Sequence, residues 1–253
     1  MHSNLNKIVF LLAIIIFTAT SCYDEDIYDM VSKEIFTEEF VKITPDTMSV
    51  YADGNSKLTF TFTFSSEADS VLTSLRLIAS RGTFLESQND TLNTNFSTLE
   101  DSKTAIANLV STSTGNSTVR VEVQNTFKEY RVNFDTAKAN RVSLTSNAFY
   151  IQNDTITEIN LTATVGSDNG VASQGTPVYF SCNQADVGFF KSEKAESNVQ
   201  GNAQTTFVFT DLTYEGDIEF TAKAINEEIE GDNNCEQDGS PCYQNSVIIK
   251  ILE

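Results

Sequence analysis

The sequence predicts an all-β protein built from two tandem β-sandwich domains, and three observations carry that prediction. Apolar and polar residues alternate along short runs, turn residues punctuate the runs at regular intervals, and the pattern of one half recurs in the other. Composition narrows the function classes at the same time. The 253 residues include no Trp, four Cys and one His, at position 2, and carry a formal charge of −19. If residues 1–21 are removed, as read below, the mature chain has no imidazole and so no Ser-His-Asp triad, Cys-His dyad or His-ligated zinc site. With 16 basic against 35 acidic residues the balance argues against a nucleic-acid partner, whose phosphates demand clustered positive charge. The expectation is a non-enzymatic binding, adhesive or structural protein with no cofactor and no metal site.

The first element, residues 1–21, reads as a targeting segment. Lys7 supplies a positive start and residues 8–17 (IVFLLAIIIF) an apolar stretch of ten residues, too short to cross about 30 Å of hydrocarbon. Thr18-Ala19-Thr20-Ser21 then leads to Cys22, a series that resembles the lipobox of bacterial lipoproteins. That resemblance implies that Cys22 becomes the acylated first residue of the mature protein and attaches it to the membrane without spanning it. Residues 22–40 follow as an acidic tether, with Asp24, Glu25, Asp26, Asp29, Glu34, Glu38 and Glu39. The acidic cluster beside the Cys is similar to the surface-export signal of Bacteroidota-type lipoproteins, which implies the outer face of the outer membrane. Loss of residues 1–21 leaves 15 basic and 35 acidic residues, a charge of −20.

Residues 41–138 and 139–253 are the two predicted domains. In the first, residues 57–64 (KLTFTFTF) place Leu58, Phe60, Phe62 and Phe64 on one face of an extended strand and three threonines on the other. The same period recurs at 75–78 (LRLI), 119–123 (VRVEV), 179–182 (YFSC), 207–209 (FVF) and 218–220 (IEF). Turn signals stand between these runs: Asp53-Gly54-Asn55, Arg81-Gly82, Thr114-Gly115-Asn116, Ser167-Asp168-Asn169-Gly170 and Glu215-Gly216-Asp217. The repeat has a fixed offset, since VKIT at 41–44 matches VSLT at 142–145 and Gly115 matches Gly216, each 101 positions on. Two sandwiches of immunoglobulin-like size follow from this spacing.

The second half adds a motif series: TATV at 162–165, SDNG at 167–170, GTPVYF at 175–180, GNAQTTF at 201–207 and TAKA at 221–224. In this order the series resembles the bacterial Ig-like domains of the invasin and intimin type. The first half, with ADGNS at 52–56 and GTF at 82–84, is similar but more diverged. The resemblance implies an immunoglobulin-like fold and a role in adhesive display or as a stalk spacer; fold alone does not specify the ligand.

Reactive groups are few. Cys182, Cys235 and Cys242 are an odd number for a compartment in which disulfides persist. Cys235 and Cys242 bracket the polar loop before the last strand, and a bridge between them would contribute about 2–3 kcal/mol by the loop-entropy argument. The alternative pairs Cys182 with one of them across the two sheets. The same loop holds Asn234, Glu236, Asp238 and Gly239, which imitate the start of a calcium loop, but its twelfth position is Asn245 where a Glu is required. It therefore reads first as a solvated acidic hairpin, with a lower-affinity calcium site at this tip or between the two domains as the alternative. Asp46-Thr47-Met48, Asp69-Ser70-Val71, Asp90-Thr91-Leu92, Asp135-Thr136-Ala137 and Asp154-Thr155-Ile156 look like the bacterial O-glycosylation sequon, and Asp-Thr pairs also favour turns.

Together these features predict an outer-membrane, cell-surface lipoprotein held by Cys22, acting as a non-catalytic adhesion, spacer or protein-binding module. Two alternatives share the same anchor: a glycan-binding lipoprotein of a nutrient-uptake system, and a subunit of an envelope or fimbrial assembly. The expected partners are the membrane and a surface protein or glycan, with no nucleic acid.

Overall fold

The computed structural model describes residues 41–64, 74–99, 102–123, 126–152, 157–211, 213–226 and 242–252. The targeting segment, Cys22, the tether, Cys235 and the acidic loop lie outside the described residues. The first domain contains β1 (Val41–Pro45), β2 (Ser49–Tyr51), β3 (Leu58–Phe64), β4 (Ser74–Ala79), β5 (Thr83–Phe84), β6 (Thr91–Asn95), β7 (Ser97–Leu99), β8 (Ser102–Val110), β9 (Gly115–Val123) and β10 (Thr126–Asp135). The second contains β11 (Arg141–Ser146), β12 (Tyr150–Gln152), β13 (Glu158–Gly166), β14 (Pro177–Cys182), β15 (Gly188–Phe190), β16 (Lys194–Glu196), β17 (Asn202–Phe209), β18 (Gly216–Ile225) and β19 (Cys242–Leu252). A single 3₁₀ turn, Ala185–Val187, precedes β15.

Each domain is two sheets around one core. In the first, β1-β3-β8-β5, with β7 also on β8, faces β2-β10-β9-β4-β6. In the second, β11-β13-β17-β15 faces β12-β19-β18-β14-β16. The alternation read from the sequence is the reason: on β3, Leu58, Phe60, Phe62 and Phe64 are fully buried while the intervening threonines are half-buried. Val119, Val121 and Val123 of β9 face them from the opposite sheet. In the second domain Phe207 on β17 reaches across to Phe220 on β18, with ring centroids 4.9 Å apart, and also meets Phe190 at 5.0 Å and Phe209 at 5.1 Å. Edge-to-face geometry at these separations adds to the area that the rings bury.

The registers of the two domains correspond, with an offset of 101 residues up to β9 and β18 and of 117 at the last strands, β10 and β19. Val50 pairs with Phe134, which pairs with Gly115; Ile151 pairs with Ile251, which pairs with Gly216. Gly115 and Gly216, which the sequence reading placed in turns, are the first residues of β9 and β18. Their φ angles of 110° and 136° explain why both are glycine. All strand pairs are antiparallel except β2 with β10 and β12 with β19, where the early edge strand runs alongside the last one.

Phe207→Ala is expected to lower the stability of the second domain by about 3–5 kcal/mol, because it empties the centre of an aromatic cluster shared by both sheets. Urea unfolding followed by circular dichroism reads the shift. A midpoint within experimental error of the parent would contradict this packing.

Candidate functional site

Residues 136–140 join β10 to β11 and are hydrogen-bonded into the second domain along their length. Ala137 and Ala139 are 4% and 2% exposed. The Ala137 amide donates to Ser173 Oγ at 2.8 Å, and the Ser173 amide donates back to the Ala137 carbonyl at 3.1 Å. One step on, the Ala139 amide donates to Asn226 Oδ1 at 2.6 Å while Asn226 Nδ2 donates to the Ala139 carbonyl at 2.8 Å. The Asn226 side-chain amide thereby stands in for a neighbouring backbone strand. The Asn140 amide then donates to the Gly166 carbonyl at 2.9 Å, so no part of the connection hangs free.

The loop 167–175 of the second domain reaches back to the first. Its Val171 amide donates to the Asp53 carbonyl at 3.0 Å and its Gln174 amide to the Thr112 carbonyl at 2.8 Å. Ser173 Oγ donates to the Ala52 carbonyl at 3.0 Å, Ser113 Oγ to Gln174 Oε1 at 2.6 Å, and Asn55 Nδ2 to the Asn169 carbonyl at 2.7 Å. The receiving turn is itself rigid. Buried Asp53 accepts the Asn55 and Ser56 amides on Oδ1, at 2.8 and 2.6 Å, and Ser56 Oγ on Oδ2 at 2.7 Å. Gly170 permits the approach, since a Cβ there would lie 2.2 Å from the Asp53 carbonyl oxygen. Each such bond contributes about 0.5–1.5 kcal/mol net. Several distributed around one axis restrict bending and rotation together.

Clefts flank this joint. One of about 740 Å³ is lined by Asn55, Thr83, Ser111, Arg141 and Val199, and another of about 310 Å³ by Tyr51, Lys138, Asp168 and Asn169. Their walls offer hydroxyls, amides and backbone together with the charged side chains of Arg141, Lys138 and Asp168. Among the described residues no group of three His, Cys, Asp or Glu converges on a point. The Asp53 carboxylate is occupied by its own turn, so the joint has the chemistry of a structural coupling.

The cysteines separate in role. Cys182 ends β14 as a free, half-buried thiol whose Sγ donates to the Gln184 carbonyl at 3.4 Å. Burial pushes its pKa above the usual thiol range. Cys242 opens β19 opposite Ile225 and is disulfide-bonded. With Cys182 free, the pairing of Cys182 to Cys242 across the sheets does not occur. Cys22, Cys235 and the calcium-like positions Asn234, Glu236 and Asp238 lie outside the described residues.

No protein-family model matches the chain, and no curated protein matches it. Solved structures do match. Invasin, described as a bacterial integrin-binding protein, superposes with a TM-score of 0.51 at 15% identity, over 83% of this chain and 39% of that chain. The two domains have the immunoglobulin-like fold of such adhesin structures. The Yersinia pseudotuberculosis adhesin InvE gives 0.42 at 13% identity, over 83% of this chain and 58% of that one. The Escherichia coli adhesin FdeC gives 0.32 at 15%, over 86% and 65%. Within the immunoglobulin-like frame the joint residues Ser173, Asn226 and Asn55 had no functional signal in the sequence. The Asp53 and Asp168 turns were read only as turns.

Asn226→Ala is expected to broaden the distance distribution between spin labels at Asn93 and Glu196, read by double electron–electron resonance, with the unfolding free energy lowered by about 1 kcal/mol. An unchanged distribution would show that Asn226 does not set the joint. Cys182 is expected to react with a disulfide reagent at pH 8 more slowly in the folded chain than in the unfolded one. Equal rates would contradict a thiol held neutral by burial.

Proposed function

We propose that the chain is a lipoprotein of the outer cell surface, acylated at Cys22, whose two immunoglobulin-like domains display contact surface at a fixed distance and orientation from the membrane. The observation that carries this reading is the hydrogen-bonded joint. A connection bound to Ser173 and Asn226, with a loop seated on Asp53 and Thr112, converts two small domains into one stiff unit. Stiffness serves display: a rigid support presents a binding surface at lower ordering entropy than a flexible one does. In this reading the acidic residues 22–40 are the tether between the lipid and the two domains. The solved structures of similar fold, titled as an integrin-binding protein and as adhesins, support a protein partner at the surface. We include in this reading a Cys235–Cys242 bridge that closes the last hairpin, and a non-catalytic role.

Cys22→Ala decides the anchor. The parent chain is expected in the membrane fraction, carrying a mass increment of fatty acyl chains and accessible to protease on intact cells. The variant is expected in the soluble fraction without that increment. A variant that stays membrane-bound and acylated would overturn the assignment.

A further inference from the structure

Basic residues are unevenly distributed. Residues 139–253 hold 5 basic and 17 acidic side chains and the tether 22–40 holds 1 and 7, whereas residues 41–138 hold 9 and 11. Four of the five arginines, Arg76, Arg81, Arg120 and Arg131, belong to the first domain. Three of them project from one surface, the outer face of the β2-β10-β9-β4-β6 sheet. There Arg76, Arg120 and Arg131 alternate with the buried Leu77, Val121 and Val132.

The registers place these residues in adjacent cross-strand rows: Arg76 opposite Glu122, Arg120 opposite Glu129, and Arg131 opposite Thr118. Glu122 lies between two of the guanidinium groups, 3.3 Å from Arg76 Nη1 and 2.9 Å from Arg120 Nε. The Arg120 guanidinium also lies 3.8 Å from the centroid of the Phe127 ring, which is 53% exposed. Arg131 is exposed and makes no ion pair among the described residues. Glu122 and Phe127 therefore hold Arg120 in place, while the Arg76 and Arg120 side chains stay 52% and 42% exposed and share the face with the carboxylates of Glu122, Glu129 and Asp135.

The second domain is an internal control. With Gly115 aligned to Gly216, the position opposite Glu122 on β4, Arg76, corresponds to the position opposite Lys223 on β14, Tyr179. Arg120 corresponds to Thr221, and Arg131, opposite Thr118, corresponds to Ile248, opposite Glu219. The same sheet thus forms with Tyr179, Thr221 and Ile248 at all three positions. The fold does not require the arginines, and a protein of charge −19 gains no solubility by adding them.

We propose that this face of the first domain binds an acidic polysaccharide through its carboxylate or sulfate groups. Guanidinium groups recognise such oxyanions bidentately, and Arg is the residue suited to that geometry. The setting favours a glycan over an acidic peptide. An extended peptide docks along a sheet edge through backbone groups, but this surface is the middle of a sheet and offers side chains alone. Beside the arginines lie the exposed amides of Asn93 and Asn116, which pair with sugar hydroxyls, and the exposed Phe127 ring, on which a pyranose face stacks.

The test uses the full chain purified in detergent, with polygalacturonate as probe, neutral dextran as control, and titration calorimetry at low and high salt. The parent is expected to bind polygalacturonate, to lose that binding at about 1 M salt, and to ignore dextran. The R76Q/R120Q/R131Q triple variant is expected to bind at least about tenfold more weakly. A K194Q/K223Q/K250Q variant, which removes three charges from the second domain, is expected to change by less than about twofold. R131Q alone leaves both ion pairs of Glu122 intact, so a weakening in that variant with an unchanged unfolding midpoint separates recognition from folding. No binding to polygalacturonate, or equal binding by the triple variant, would overturn the proposal. So would a triple variant whose one defect is loss of self-association between copies. None of these outcomes depends on whether Cys22 is acylated.

Discussion

Each sandwich has to fill the gap of about 10 Å between its two sheets, and this chain does so without tryptophan. Phenylalanine takes that role. Phe60, Phe62 and Phe64 project from a single strand of the first domain, and Phe207 ties three other rings together in the second. Because these rings pack against side chains of the facing sheet, they fix how the sheets lie on each other. That in turn fixes where the turns at the ends of the strands emerge. Both the 52–56 turn that receives the second domain and the 167–175 loop that docks on it are carried at strand ends that the aromatic cores hold in place. The coupling between domains is thus a long-range consequence of side chains that never touch it.

How much of this was legible in the sequence follows from the range of the interactions. Alternation within β3, β9 and β18 is a property of adjacent residues, so the strands and the all-β sandwich class could be read directly. Gly115 and Gly216 illustrate a partial reading: their need for positive φ was visible, but a glycine that opens a strand and one that makes a turn carry the same local signal. The joint could not be read, since most of its bonds end on backbone carbonyls, at Ala52, Asp53, Thr112 and Asn169. Any residue supplies such a group, and only the folded geometry brings a given one within reach. The arginine face was hidden for a related reason. Arg76, Arg120 and Arg131 are separated by up to 55 positions in the chain and become neighbours only through strand register.

The two halves of the molecule have taken one frame in different directions. With equivalent registers, the first domain carries arginines and a near balance of charge, while the second is strongly acidic and uses its 167–175 loop and Asn226 to grip the connection. The repeat is asymmetric, with one domain holding the connection and the other bearing three arginines on one sheet face. The exposed strand positions changed while the buried ones kept their alternation. This is the pattern expected when packing constrains one face of a strand and leaves the other free.

The parallel pairing of β2 with β10, and of β12 with β19, gives each domain a mechanical character. The second strand of each domain lies beside the strand by which the chain leaves it, and the hydrogen bonds between the two run across the strand direction. A load applied along the chain therefore shears those bonds together, where a hairpin pulled open from one end would lose them singly. Bonds that must fail at once resist more force than the same number failing in sequence. Each sandwich is in this sense a link able to carry tension along the chain.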